Sequence, residues 1–232
     1  ELVSRSLQPV LWLMIFGEVF NRIRAIPTGG ISYLAFMAPG VLAQSVLFSA
    51  IFFGIAVIWE RDLGIVHKLL VSPAFRVSLV LGKAISAGFR GLVQATIVYI
   101  LALLIGVEVS FSPMPLLGVG CLVVLGSATF STFSLIIACW VRTRERFMGI
   151  GQVLTMPLFF ASNAIYPLSL MPNWLQWVAR FNPLTYLVDG LRTLMVVGSS
   201  VGYGLATDFS VLVGAFVLLL LVAALLYPNL AR

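Results

Sequence analysis

The chain has 232 residues, of which 61% are hydrophobic and only 9% are charged. Because an ordinary soluble domain is about 25% charged, this composition excludes a solvated surface and indicates a membrane protein. The net charge of +6 does not indicate nucleic-acid binding, since the Lys and Arg residues lie in the gaps between apolar runs, where charges set membrane topology.

Six apolar runs predict membrane-spanning helices, because a helix needs roughly 20 apolar residues to cross the hydrocarbon core of a bilayer. In chain order the runs are Ser6–Phe20, Leu34–Ile58, Ala84–Val107, Pro115–Trp140, a crossing from Phe147 to about Tyr166, and Phe209–Leu226. The first run has no small-residue cleavage site and is followed by further runs, so it predicts a spanning helix and not a signal peptide.

The fifth apolar stretch stays uncharged from Phe147 to Ala179, which is too long for one crossing and too short for two. It contains Pro157, Pro167 and Pro172, and proline inside a helix removes a hydrogen bond and clashes with the preceding turn. One crossing followed by a short segment that dips back into the membrane fits this pattern. The predicted fold is therefore an all-α membrane protein with six transmembrane helices and a re-entrant outer helical element between spans five and six.

The Lys and Arg residues predict the orientation, because cytoplasmic loops carry an excess of positive charge. With both termini in the cytoplasm, ten of these residues lie on the cytoplasmic side: Arg5, Arg61, Lys68, Arg76, Lys83, Arg90, Arg142, Arg144, Arg146 and Arg232. Four lie on the outer side: Arg22, Arg24, Arg180 and Arg192. This distribution predicts a multi-pass membrane protein with cytoplasmic N- and C-termini, and we expect that membrane to be the plasma membrane, the inner membrane in a bacterium.

The segment VIWERDLGIVHKLLVSP, residues 57–73, is charged and amphipathic, and it joins the second predicted span to the third. Its pattern predicts one cytoplasmic helix over Glu60–Ser72 that ends at Pro73. Four apolar residues share one face of that helix: Trp59, Leu63, Val66 and Leu70. The pattern alone fits two alternatives, a helix that rests on lipid headgroups and a helix that docks onto a partner protein.

Two stretches of the sequence resemble the ABC-2-type permeases, the membrane subunits of ATP-driven drug, lipid and polysaccharide exporters. The stretch ERDLGIVHKLLVSP is similar to the cytoplasmic loop that forms the coupling helix of that family and docks into the ATPase. The stretch SNAIYPLSLMPNWLQWVARFNPLTYLVDGLR, residues 162–192, is similar to the family's re-entrant outer segment. The resemblance is to the daunorubicin-resistance and nodulation-type export permeases, and it implies a single ABC-2-type transmembrane domain over residues 1–232.

The resemblance assigns residues to two sites. The segment that couples to the ATPase would comprise Glu60, Arg61, Gly64, His67, Lys68, Leu69, Ser72 and Pro73. The outer re-entrant element, or gate, would comprise Tyr166, Pro167, Pro172, Trp174, Asn182, Pro183, Asp189 and Arg192. Members of the family carry an amphipathic cytoplasmic helix before the first span, and since this sequence starts at Glu1 we expect such a segment to precede it.

The resemblance also implies a permease that exports an amphiphilic drug, lipid or glycan-linked lipid by alternating access. Two copies of an ABC ATPase subunit would bind the ATP and Mg²⁺, and a second permease copy or close homologue would complete the pathway, with the first, second and fifth spans at the seam. We expect this chain itself to bind no cofactor, metal or nucleic acid and to have no catalytic residues. No phosphate-binding loop is present, because Gly82-Lys83 is followed by Ala84 and lacks the upstream glycine.

A secondary transporter or channel is the alternative function. That class is expected to contain buried coupling carboxylates or an inverted internal repeat, and the sequence shows neither pattern. An intramembrane enzyme would need a catalytic pair, and the single histidine of the chain has no evident partner for one.

Charged and polar residues near the spans give further predictions. Glu18 and Arg22 predict an ion pair at the outer end of the first span, and Asp189 and Arg192 predict another on the outer helix. Arg90 is expected to extend its side chain toward the cytoplasm. The candidate substrate path comprises Gln44, Gln152, Thr155 and Asn163, with helix packing as the alternative role of these residues.

Overall fold

The computed structural model describes residues 30–73, 75–141, 143–199 and 202–231, together with four single residues in the first predicted span, Leu11, Ile15, Gly17 and Val19. Seven charged residues named above lie outside the described residues: Glu1, Arg5, Glu18, Arg22, Arg24, Arg142 and Arg232. The first span as a whole and the Glu18–Arg22 pair therefore remain predictions.

The described chain is helical, as the composition predicts. The helices are α1 Tyr33–Asp62, α2 Ile65–Val71, α3 Arg76–Leu104, α4 Pro113–Trp140, α5 Arg144–Phe160, α6 Asn173–Phe181, α7 Pro183–Met195 and α8 Leu205–Leu226. Short 3-10 helices cover Leu168–Leu170 and Tyr227–Ala231. No strand occurs in the described ranges, where the β-type pairing consists of one isolated antiparallel bridge between Val109 and Val196.

Four helices of the described part are long and apolar enough to cross a membrane: Tyr33–Asp62, Arg76–Leu104, Pro113–Trp140 and Leu205–Leu230. They correspond to the predicted second, third, fourth and sixth spans. The chain is therefore an all-helical protein with at least these four candidate spans, and the count of six remains a prediction.

Helix α5 ends at Phe160, before the predicted end of the fifth crossing at Tyr166. Its 17 residues extend about 26 Å, which is shorter than a hydrocarbon core of roughly 30 Å. The side-chain amide of Asn182 donates hydrogen bonds to the carbonyls of Leu158 and Ala161, at 2.6 and 3.4 Å. The expected boundary is thus corrected, because a side chain distant in sequence satisfies the last carbonyls of the helix.

Apolar side chains form two separate cores along the helices. One core surrounds the first half of α1 and contains Leu42, Leu122 and Leu187. The other surrounds the last turns of α1 and contains Phe147 and Tyr227. We call the end of the bundle that holds the second core and α2 the α2 end, and the other the opposite end.

Helix α1 packs closely against its neighbours through small residues. At Gly40, an added Cβ atom would lie 2.4 Å from the carbonyl oxygen of Ala164, so only glycine allows this approach of the two backbones. Farther along α1, the hydroxyl of Ser134 on α4 accepts the backbone N–H of Gly54 at 3.0 Å. These contacts fix α1 between α4 and the turn that follows α5, as expected for helices that pack inside a membrane.

A backbone pairing joins two loops at the opposite end. Val109, between α3 and α4, forms the antiparallel bridge with Val196, just after α7. The backbone N–H of Ser110 donates to the carbonyl of Met195 at 2.8 Å. The connection between α3 and α4 is therefore tied to the end of α7.

Candidate functional site

The segment predicted as one helix over Glu60–Ser72 consists of two helices. Helix α1 continues to Asp62, and α2 begins at Ile65. Gly64 separates them with φ of +71°, in the left-handed region. The backbone N–H groups of Leu63 and Gly64 donate to the carbonyls of Trp59 and Arg61 and so close the end of α1. The single-helix prediction is corrected, because a left-handed glycine turns the chain after the long helix.

The apolar face predicted for this segment is divided by that turn. Val66 is fully buried in the core at the α2 end. Leu63, by contrast, is 67% exposed, and Trp59 is half exposed. Among the residues assigned to coupling, His67, Lys68 and Pro73 are exposed, whereas the others are partly buried: Glu60, Arg61, Gly64, Leu69 and Ser72. The segment thus presents an apolar and basic surface around an anchored Val66.

Charged side chains connect the base of α2 to the neighbouring helices. The guanidinium of Arg144, at the start of α5, donates to Asp62 at 2.7 Å and lies 3.7 Å from the centre of the Trp59 ring. Arg61 donates to the carbonyl of Val141, after α4, at 3.2 Å. Polar contacts therefore fix the turn before α2 to α5 and to the end of α4.

A cavity of about 400 Å³ opens beside this turn. Its walls come from α1, α2, α3 and the 3-10 helix after α8. Lys83 on α3 forms an ion pair with Glu60 on α1 at the rim of this cavity. The cavity thus lies between the spans and the segment that resembles a coupling helix.

At the opposite end, the segment between α5 and α8 folds into several short elements and not into one straight helix. The 3-10 helix Leu168–Leu170 leads into α6, which exposes Trp174 and Trp177. Tyr166 donates to the carbonyl of Phe160 at 2.6 Å. Three of the predicted gate residues are buried (Asn182, Asp189 and Arg192), whereas Tyr166, Pro167 and Pro183 are half-buried and Pro172 and Trp174 are exposed.

Asn182 organises the junction of α6 and α7. Its side-chain oxygen accepts the backbone N–H of Leu184 at 3.0 Å and caps α7. Its amide nitrogen holds the end of α5, as described above. The one side chain therefore joins three helices, and Pro183 occupies the first position of α7, where a missing N–H is tolerated.

Asp189 and Arg192 do not form the predicted ion pair. Arg192 donates to the carbonyl of Asn163 at 2.7 Å and to that of Phe36 at 3.3 Å. Its guanidinium also lies 3.8 Å from the centre of the Phe36 ring. Asp189 accepts the backbone N–H of Tyr203 at 2.7 Å. The prediction was wrong because longer-range partners compete with the neighbour one turn away.

The buried polar residues that were absent from the predicted sites include Asp208 and Tyr227. Asp208 lies in the first turn of α8 and is fully buried, with no hydrogen-bond partner for either carboxylate oxygen. Tyr227, just after α8, is fully buried and its hydroxyl has no partner. Both flank the last apolar run, so a search of the residues at its two ends could have identified them.

The four residues of the candidate substrate path occupy different surroundings. Gln44, Thr155 and Asn163 are buried, whereas Gln152 is exposed. The Thr155 hydroxyl donates to the backbone of its own helix, at Gly151. The carbonyl of Asn163 receives Arg192. A role of these residues in transport remains a prediction.

Comparisons with known proteins find transport permeases that are similar to this chain. The family model for the ABC-2 type transporter matches residues 1–196. A putative transport permease, ycf38, of Cyanophora paradoxa is 30% identical over 83% of this chain and 67% of its own length. The daunorubicin resistance ABC transporter permease protein DrrB1 of Streptomyces coeruleorubidus is 23% identical over 84% of this chain and 68% of its own. The inner membrane transport permease YadH of Escherichia coli K12 is 26% identical over 82% and 73%.

Proposed function

Since the chain belongs to the ABC-2 type transporter family, and is thus a membrane subunit of an ABC transporter, we propose that it is the permease of an ATP-driven exporter. It would move an amphiphilic drug, lipid or glycan-linked lipid outward by alternating access. The name of one relative, a daunorubicin resistance permease, supports an amphiphilic cargo. ATP and Mg²⁺ would be bound by a separate ABC ATPase subunit and not by this chain.

The observation that carries the proposal is the anchored helix α2. It is short, it follows a fixed turn at the end of α1, and Val66 holds it to the core at the α2 end. Leu63, just before α2, and Val71, the last residue of α2, are exposed and would be costly to leave in water, which supports a protein partner over this surface. A push on α2 would pass to α1 and α5 through Asp62 and Arg144.

We place the α2 end in the cytoplasm, where two ATPase copies would dock onto two permease copies. The excess of Lys and Arg at this end supports that orientation. The first, second and fifth predicted spans would form the seam between the permeases. Helix α5 carries apolar side chains that are exposed in the single chain, as a seam or a lipid-facing surface requires: Met148, Ile150, Val153, Met156 and Phe160.

Reconstitution of the chain with its ABC ATPase in vesicles tests the proposal, with daunorubicin as the trial substrate. Leu63→Asp should preserve membrane insertion and ATP hydrolysis but lower transport per ATP by about tenfold, the effect of losing a central interface contact. Leu69 is a less suitable position, because it also lines the cavity beside α2.

Val197→Asp is the matched control, since Val197 is an equally exposed apolar residue at the opposite end. It should transport as the unmodified protein does. Normal transport by Leu63→Asp would contradict the coupling role of α2. Transport that requires a proton gradient and continues without ATP would instead support the alternative, a secondary transporter.

A further inference from the structure

The cavity beside α2 contains a regular polar row on α3. Ser78, Gly82, Ser86 and Arg90 recur at every fourth residue, and all four line the cavity. Residues spaced by four share one face of a helix, so this face of a candidate span is polar. An added Cβ atom at Gly82 would meet nothing within 4 Å, which shows that the cavity is open beside this backbone.

Arg90 lies at the deep end of this row, in the membrane-spanning part of α3. It is six residues past Ala84, the start of the predicted span, which corresponds to about 9 Å along the helix. Its guanidinium lies 5.2 Å from the centre of the Phe53 ring, and among the described residues it forms no ion pair with a carboxylate. An arginine at such a position normally faces a cavity or pairs with an anion.

The remaining polar groups of the cavity are mainly hydrogen-bond donors. Lys83 is partly neutralised by Glu60 at the rim. Tyr227 lines the cavity, is fully buried, and has a hydroxyl without a partner. Because this hydroxyl is enclosed by the protein, Tyr227 forms part of the wall and supplies no donor to an occupant. The cavity therefore presents two cations and the hydroxyl groups of Ser78 and Ser86 to whatever occupies it, against the single carboxylate of Glu60.

An apolar surface flanks the polar row toward the lipid. Ile85, Phe89 and Val93 are exposed on α3, again at every fourth residue. An amphiphile could thus place its polar group against Ser86 and Arg90 while its hydrocarbon chain lies along these three side chains. A free inorganic anion would gain nothing from that surface.

We propose that this cavity binds the phosphate group of a phospholipid from the leaflet at the α2 end. Phosphate oxygens are strong acceptors, and arginine binds phosphate through paired, charge-assisted hydrogen bonds. Arg90 and the hydroxyls of Ser86 and Ser78 supply the donors. Ile65 and Leu69 of α2 also line the cavity, so the lipid would contact the segment that would couple to the ATPase. The site requires neither a direction of transport nor an identified cargo.

Titration of the purified full chain in detergent with dioleoyl phosphatidylglycerol, followed by native mass spectrometry, tests the site. Arg90→Gln should weaken retention of one lipid per chain by about tenfold, as expected when a charged hydrogen bond is lost. Gly82→Leu should do the same by filling the cavity, since its side chain meets no neighbour. Arg90→Lys, which keeps the charge, should lose less than Arg90→Gln.

Two control variants match these changes elsewhere in the chain. Arg180→Gln removes another arginine that lies over an aromatic ring, at 5.4 Å from Trp177. Gly214→Leu adds a side chain at another open glycine, on α8. Both should retain the lipid as the unmodified chain does. The proposal would be overturned if Arg90→Gln and Gly82→Leu both retained the lipid as strongly as the unmodified chain does.

Two further ligands identify what is recognised. Dioleoylglycerol, which lacks the phosphate, should not occupy the site, and retention equal to that of phosphatidylglycerol would overturn phosphate recognition. Inorganic phosphate in excess should leave the bound lipid in place, because the acyl chains add apolar contacts. Displacement by inorganic phosphate would overturn the lipid as the source of the group.

Discussion

Asp189 and Arg192 stand one turn apart on α7 and bind different parts of the chain. Arg192 donates to the carbonyls of Phe36 and Asn163, and so joins α7 to α1 and to the turn after α5. Asp189 accepts the N–H of Tyr203 and fixes the loop that leads into α8. Together the two side chains connect three parts of the opposite end through backbone groups, and they form no direct ion pair with each other.

Removal of the Arg192 side-chain charge should destabilise the protein. Arg192→Met would leave two buried carbonyls without their charged donor, so the free energy of unfolding should fall by about 2–4 kcal/mol. Thermal unfolding of the detergent-solubilised chain measures this change. Arg180→Met, at an exposed arginine, is the control and should unfold at the same temperature as the unmodified chain. Equal unfolding temperatures for Arg192→Met and the unmodified chain would contradict the structural role.

Asp208 should be more stable as an amide. Both of its carboxylate oxygens are buried without a partner, and burial of an unpaired charge costs free energy. Asp208→Asn keeps the shape and removes the charge, so it should raise the free energy of unfolding by about 1 kcal/mol. The same thermal assay applies, with Glu108→Gln at an exposed carboxylate as the control. A lower unfolding temperature for Asp208→Asn would mean that the charge is needed.

Gly64 should control the direction of α2. At φ of +71°, an alanine would cost roughly 1–2 kcal/mol, while asparagine tolerates this region better. Gly64→Ala should therefore lower transport per ATP hydrolysed in the reconstituted complex, and Gly64→Asn should retain more of it. Gly149→Ala, at a helical glycine with open space beside it, should have no effect. The role of the turn would be contradicted if Gly64→Ala and Gly149→Ala behaved alike.

Cysteine labelling with a membrane-impermeant reagent tests the proposed orientation in intact cells. In a chain with Cys121 and Cys139 replaced by Ala, cysteines at exposed Asn173 or Glu108 should react from outside. Cysteines at exposed His67 or Glu145, near α2, should react only after the cells are permeabilised. The reverse pattern would place α2 outside and remove it from the reach of a cytoplasmic ATPase.

Local sequence pattern predicted the helical fold and four of the spans, because long apolar runs between charges leave few alternatives. It failed where distant residues decide the outcome. The end of α5 depends on Asn182, which lies more than 20 residues away, and the two charges on α7 depend on backbone groups of other elements. The turn at Gly64 was missed because the flanking residues keep a helical period on both sides of it.

The proposed lipid site is a second feature that local sequence pattern does not predict. Sequence alone predicts that Arg90 extends toward the cytoplasm, and nothing in its own helix assigns it a ligand. The structure adds Phe53 of α1, the walls from α2, and Tyr227 of the 3-10 helix after α8. Only the packing of these separate elements turns an isolated arginine into part of a cavity.

The pairing of Val109 with Val196 has a mechanical consequence for the opposite end. The hydrogen bond from Ser110 to Met195 makes the α3–α4 loop and the end of α7 one body. If the opposite end widens while this pairing stays intact, elements other than the α3–α4 loop and the end of α7 must move apart. Helix α6 buries only Ala179 among its own residues, so few buried contacts would be lost if it moved away from the bundle. We therefore expect motion at the opposite end to displace α6 while the paired loops stay together, and not to separate all the elements at once.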